Sequence, residues 1–169
     1  MAEGERTVRL ARIRSLGCAL LAAGFVSMAW PATRAFATDL QVCHDASGDT
    51  AIAACTRAIE SGTLSRRELA MAYTMRGVEW RAKGELERAI IDHTDAIAKD
   101  PTVYEAFYNR GNAYRQKGDN DRAIADYTAA IRVHPNDPDV YTNRGNAYRD
   151  KGDDARAKAD YARADRLKR

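Results

Sequence analysis

The chain has 169 residues, enough for one ordinary domain and too few for two large ones. Hydrophobic residues make up 45% and charged residues 30%, which excludes an unfolded polyelectrolyte, and eleven Gly and four Pro exclude a collagen-like or linker-like chain. The net charge of +3 belongs to the N-terminus: five of the 27 basic and two of the 24 acidic residues precede Thr38, leaving 22 of each in a neutral body, which argues against a nucleic-acid partner.

Arg6, Arg9, Arg12 and Arg14 precede an apolar run from Leu16 to Trp30, followed by Pro31 and by Ala35-Phe36-Ala37. A positive start, an apolar stretch of about 15 residues and a small-x-small ending form the pattern of a secretory signal. Residues 1–37 are expected to be a Sec-type signal peptide, cleaved after Ala37 to leave a periplasmic or secreted protein beginning at Thr38. An uncleaved anchor is the alternative. The run is short against the roughly 20 residues of a membrane span, and Arg34 follows it closely. No stable membrane insertion is therefore expected after cleavage. Cys18 opens the apolar run instead of following it, so it is not placed for lipid attachment, and there is no twin-arginine pair.

Cys43 and Cys55 remain after cleavage. Two cysteines in an oxidising compartment point to a disulfide. Free thiols are a second reading. A metal site with His44 is a third, and it lacks both a fourth ligand and a CxxC spacing.

From residue 70 onward the chain repeats itself. Arg76-Gly77, Arg110-Gly111 and Arg144-Gly145 stand 34 residues apart, and the neighbours keep step. Tyr73, Phe107 and Tyr141 precede the glycines, while Trp80, Tyr114 and Tyr148 follow them. Ala89, Ala123 and Ala157 form another column, and Ala96, Ala130 and Ala164 a further one; Pro101 and Pro135 close the first two repeats. Each repeat reads as two helices. In the second, apolar and aromatic residues at helical spacing run from Tyr104 to Lys117 and stop at Gly118. Asp119 then caps a helix over Asp121 to Val133 that ends before Pro135. Small residues in the Gly and Ala columns let paired helices approach, and the aromatic columns fill the remaining space.

Upstream, residues 51–59 match residues 123–131 in most places, which reads as a second helix whose first helix has shrunk to 39–46. Cys55 occupies the aromatic column of this half repeat and is expected to face the core, where a bond to Cys43 would staple the shortened segment. Ser65-Arg66-Arg67-Glu68 offers a capping-box start for the next helix. At the other end, Lys158 replaces the column of Ile52, Ile90 and Ile124, and Asp165 that of Ile59, Ile97 and Ile131. Charges there end the stack without a capping helix and argue for a monomer.

The carriers Phe107, Gly111, Tyr114, Ala123, Tyr127, Ala130 and Pro135, at their 34-residue period, resemble the tetratricopeptide repeat (TPR) family. The likeness covers residues 70–169 as three repeats, 70–103, 104–137 and 138–169, preceded by the degenerate segment 38–69. It implies an all-α fold, an α-solenoid of helix-turn-helix units wound into a right-handed superhelix. One departure is systematic. The family's Leu before Gly is Arg76, Arg110 and Arg144, and a matching column carries Asp92, Asp126 and Asp160. These are expected to pair between packed helices, an ion pair in place of an apolar contact.

No catalytic constellation, phosphate loop, HExxH motif or cofactor motif is present, so an enzyme is not expected. His93 stands in an aromatic core column, and a packed ring is the expected role. The resemblance places the outer stripe of each first helix on a concave face. That stripe holds Thr74, Val78 and Arg81, then Tyr108, Asn112 and Arg115, then Thr142, Asn146 and Arg149, flanked by Asn109 and Asn143. Arginine suits carboxylates and asparagine suits peptide amides. The expected function is an exported adaptor that holds a peptide or protein segment along this ladder. Mere solvation of duplicated arginines is the bland alternative. A structural or assembly module using convex or end surfaces is another. Exposure predicts that Arg115 and Asn112 can be replaced with little effect on folding. The family's two-carboxylate clamp for chaperone C-termini is not expected, because Thr74, Val78, Asp139 and Asn143 occupy its places and only Asn112 is retained.

Overall fold

The computed structural model describes residues 39–169. The expected signal peptide, its cleavage point and Cys18 lie outside the described residues. Within them the chain forms eight helices and no strand: α1 (39–45), α2 (Gly48–Glu60), α3 (Arg66–Ala82), α4 (Leu86–Lys99), α5 (Tyr104–Gln116), α6 (Asn120–Val133), α7 (Pro138–Asp150) and α8 (Asp154–Leu167). No described helix is long and apolar enough to cross a membrane.

Helices α3 and α4, α5 and α6, and α7 and α8 pack as hairpins, and each hairpin stacks on the next through α4 with α5 and α6 with α7. The layering has a direction. First helices touch along the stack, α3 with α5 and α5 with α7, whereas α4, α6 and α8 do not touch one another among the described residues. The stack therefore curves with the first helices on its inner side. This α-solenoid puts α3, α5 and α7 along a concave face.

The glycine column is a packing requirement. A Cβ on Gly111 would lie 2.8 Å from Cε1 of Tyr127, and one on Gly145 would lie 2.7 Å from Cε1 of Tyr161. In the first repeat the same place faces His93, with Cε1 at 2.7 Å from a Cβ on Gly77. Tyr127 is fully buried and cannot swing away, whereas Tyr161 is half-buried. Gly111→Ala is expected to overpack this contact by about 1–3 kcal/mol, against a helix-propensity gain of at most about 1 kcal/mol. Urea unfolding should show Gly111→Ala less stable than the wild type and Gly145→Ala affected less. Unchanged or raised stability in Gly111→Ala would contradict this packing account.

The expected ion pairs form in all three repeats. Arg76 grips Asp92 through Nε and Nη2, both at 2.8 Å. Arg110 grips Asp126 at 2.8 and 2.7 Å, and Arg144 grips Asp160 at 2.8 Å twice. The remaining Nη1 donates to a threonine hydroxyl of the preceding second helix, Thr56, Thr94 or Thr128, at 3.0–3.1 Å. One guanidinium thus ties its own hairpin together and to the previous one. The carboxylates raise the pKa of each arginine further, chiefly through these hydrogen bonds.

Turns follow the sequence signals to within a residue. Helix α5 ends at Gln116, and Gly118 takes φ +81°, a left-handed conformation that favours glycine. Gly84 and Gly152 do the same after α3 and α7. Asp119 accepts from Arg122 N at 3.1 Å and α6 begins at Asn120. The capping box at Ser65 and Glu68 is complete in both directions.

At the N-terminal end Cys43 and Cys55 form a disulfide between α1 and α2, with Cα atoms 4.7 Å apart. Both are buried in a cluster with Ala54 and Ala72, and Leu40, Ile59 and Met75 pack against it. Asp39 adds a bond from Arg57 at 2.6 Å. At the C-terminal end Lys158 and Asp165 are exposed, whereas their counterparts Ile124 and Ile131 pack on the core.

Candidate functional site

The concave layer brings the expected stripes together, but not as one free ladder. Thr74 is buried and its hydroxyl donates to Ala70 O at 2.8 Å; Thr142 donates to Pro138 O at 2.9 Å. Asn112 Oδ1 accepts from the Tyr127 hydroxyl at 2.8 Å and from Asn143 Nδ2 at 3.2 Å. Asn143 also donates to the Tyr108 hydroxyl at 2.8 Å. Asn146 Oδ1 accepts from the Tyr161 hydroxyl at 2.9 Å. Asparagine in this column therefore holds a tyrosine of the paired helix. The expectation that Asn112 is replaceable at little cost is corrected by this bond. Losing Asn112 would leave the hydroxyl of a fully buried tyrosine unpaired.

The first repeat varies this arrangement at both positions. Val78 stands where Asn112 and Asn146 stand, and His93 replaces the tyrosine. The His93 ring is fully buried, and neither nitrogen has a hydrogen-bond partner. Burial lowers its pKa from 6.5 to about 3, and the charges of Arg81 and Arg110 push the same way. The ring is neutral. It is a packed core histidine.

Two clefts open on the concave face. The first, of about 540 Å³, lies between α1, α3 and α5. Met71, Thr74, Met75 and Val78 form one side, Val103, Tyr104 and Asn109 the other, and Cys43, His44 and Ala46 of the stapled segment close the end. Arg67, Glu79 and Glu105 also line it. Glu79 is engaged with the backbone N–H of Gly48 at 2.6 Å. The second cleft, of about 450 Å³, is polar and is lined by Arg81, Asn112, Arg115, Gln116, Asn143 and Asp150. Asp150 pairs with Arg115 at 3.1 Å, whereas Arg81 Nε is buried and lacks any acceptor. Burial raises the pKa of Tyr127, and Arg115 and Arg81 oppose that rise. Arg149 is exposed and lies outside both clefts.

The apolar cleft was missed by reasoning from the stripe. Extending the Thr74–Val78–Arg81 stripe one turn towards the N-terminus reaches Met71, an exposed apolar residue, which is the signal that could have found it. Its end wall depends on a helix held in place by the disulfide. Among the described residues no cluster of three or more His, Cys, Asp or Glu could hold a metal ion.

Family models for tetratricopeptide or TPR repeats match residues 94–125, 111–152 and 138–169. No curated protein matches the chain significantly in sequence. Among solved structures, crystalline MamA is similar at 24% identity and TM-score 0.71, over 82% of this chain and 78% of that one. The second TPR of Spaghetti (RPAP3), bound to the HSP90 peptide SRMEEVD, is similar at 30% identity and TM-score 0.57, over 58% of this chain and 91% of that one. The first TPR of Spaghetti, bound to the same peptide, is 25% identical with TM-score 0.58, over 62% and 81%. With the glycine–aromatic packing, the stacked hairpins and these matches, the chain belongs to the tetratricopeptide repeat family, as a protein-interaction module and not an enzyme.

Proposed function

We propose that the chain is an exported, monomeric adaptor that holds a peptide or protein segment of its partner against α3, α5 and α7. One observation carries this reading: two adjoining clefts lie on the inner helices, and their linings include Met71 and Gln116, side chains that the core leaves exposed. The TPR domains of Spaghetti with a bound peptide support the same mode of use. Export rests on the charged and apolar pattern of residues 1–37, and a disulfide suits an oxidising compartment. N-terminal sequencing of protein from its native host should begin at Thr38. Protein retained in the cytoplasm and starting at Met1 would reject export.

The adaptor reading is tested by titrating a partner, purified by crosslinking, against the wild type, Arg115→Ala and Arg149→Ala. Both arginines are at least partly exposed, so stability should change by less than about 0.5 kcal/mol. Affinity should fall in at least Arg115→Ala, and salt should weaken what the arginine contributes. Equal affinity for all three proteins would move the interface elsewhere. Ile91, 59% exposed on the outer helix α4, is the observation that favours a structural module using the convex surface.

A further inference from the structure

We propose that the concave face recognises a segment bearing an apolar side chain and a carboxylate three residues apart, the apolar group entering the cleft beside α1 and the carboxylate meeting Arg81. This rests on the concave-face reading above and names the chemistry of its ligand.

The two clefts are neighbours on the same helices. Val78 lines the apolar one and Arg81 the polar one, a single turn apart on α3; Asn109 and Asn112 repeat the relation on α5. From the middle of the Met71–Val78 wall to Arg81 is six or seven residues, about 10 Å at the helical rise. A segment in the polyproline II conformation places residues i and i+3 on one face about 9 Å apart. The spacing therefore matches three residues of extended chain.

The chemistry at each end is one-sided. Met71 is 40% exposed, a large apolar side chain in water at the mouth of a concave apolar surface. In the polar cleft Asp150 already answers Arg115, but the buried Arg81 Nε has no acceptor. Arg81 itself is only partly buried and lines that cleft, with no carboxylate partner among the described residues. An incoming carboxylate supplies the opposite charge to the accessible end of its guanidinium, in the planar geometry that group favours.

The test uses capped, fluorescein-labelled peptides Gly-Leu-Pro-Ser-Asp-Gly and the reversed order Gly-Asp-Pro-Ser-Leu-Gly, titrated with the chain by anisotropy. Matched peptides replace Asp by Asn or Leu by Ser. One order should bind, and exchanging Asp for Asn should weaken it by about tenfold, the scale of a charge-assisted hydrogen bond. Arg81→Gln should weaken the Asp peptide equally and leave the Asn peptide unchanged, while Arg81→Lys should retain part of the binding. Met71→Ser should weaken the Leu peptide and not the Ser peptide. Circular dichroism confirms that each variant is folded. Absence of binding by either order at millimolar concentration overturns the proposal. So does an Asp-to-Asn loss that persists undiminished in Arg81→Gln. A natural partner that crosslinks to the inner helices while both peptides fail would reject this ligand chemistry and leave the concave-face reading standing.

Discussion

Arg110→Leu is expected to destabilise the protein by about 3–5 kcal/mol, the range for stranding one member of a buried ion pair, although leucine is the residue the family uses at that position. Asp126 is 6% exposed, and both its oxygens accept from the Arg110 guanidinium, at 2.7 and 2.8 Å. Without that guanidinium the carboxylate must stay buried unpaired or take up a proton. The third donor bond, to Thr94, also disappears, loosening the contact with the preceding hairpin. The double variant Arg110→Leu with Asp126→Ala removes the charge along with its partner, and it should recover most of the loss. Replacing a buried pair by apolar groups is often close to neutral. Denaturant unfolding of the four proteins in this cycle measures the coupling. If Arg110→Leu alone were as stable as the wild type, the pair would be a surface ornament and the account of the Arg and Asp columns would fail.

Acid should unfold this protein earlier than its tyrosine-containing repeats alone require. His93 is held neutral by burial, with a folded pKa of about 3 against 6.5 for an exposed ring. Below about pH 6.5 the unfolded chain gains a proton that the folded chain refuses, so stability falls with falling pH until about pH 3. At about pH 4 the loss is on the order of 3 kcal/mol from this one ring. The double variant Val78→Asn with His93→Tyr rebuilds the Asn–Tyr pair that Asn112 and Tyr127 make one repeat later. It should lose this portion of the acid sensitivity and keep whatever the carboxylates contribute, which is common to both proteins. Urea titrations between about pH 7 and pH 4 compare them. Parallel pH profiles for wild type and double variant would show that His93 is hydrated in the folded state.

The fold was legible because each column answers a contact that recurs once per repeat. Glycine appears wherever an aromatic or imidazole ring crosses the paired helix, and Arg and Asp appear together because neither is tolerable there alone. The concave site was less legible. Asn112 and Asn146 look like ligand-facing residues by stripe position, yet each accepts from a tyrosine 15 residues downstream. The clue was present in the first repeat, where Val78 and His93 depart from the Asn and Tyr columns together. The apolar cleft escaped for another reason. Met71 and Met75 belong to α3, but the end wall comes from Cys43, His44 and Ala46, and helix periodicity says nothing about where a short stapled helix will dock.

Site-specific photo-crosslinking in living cells separates a concave interface from a convex one. A crosslinker placed at Asn109, on the inner helix α5 and at the apolar cleft, or at Arg149, exposed on the inner helix α7, reports on the concave side. One placed at Ile91 reports on the outer surface of α4. A discrete crosslinked partner is expected from Asn109 or Arg149 and none from Ile91. A partner trapped from Ile91, with neither inner position giving a product, would contradict a concave interface.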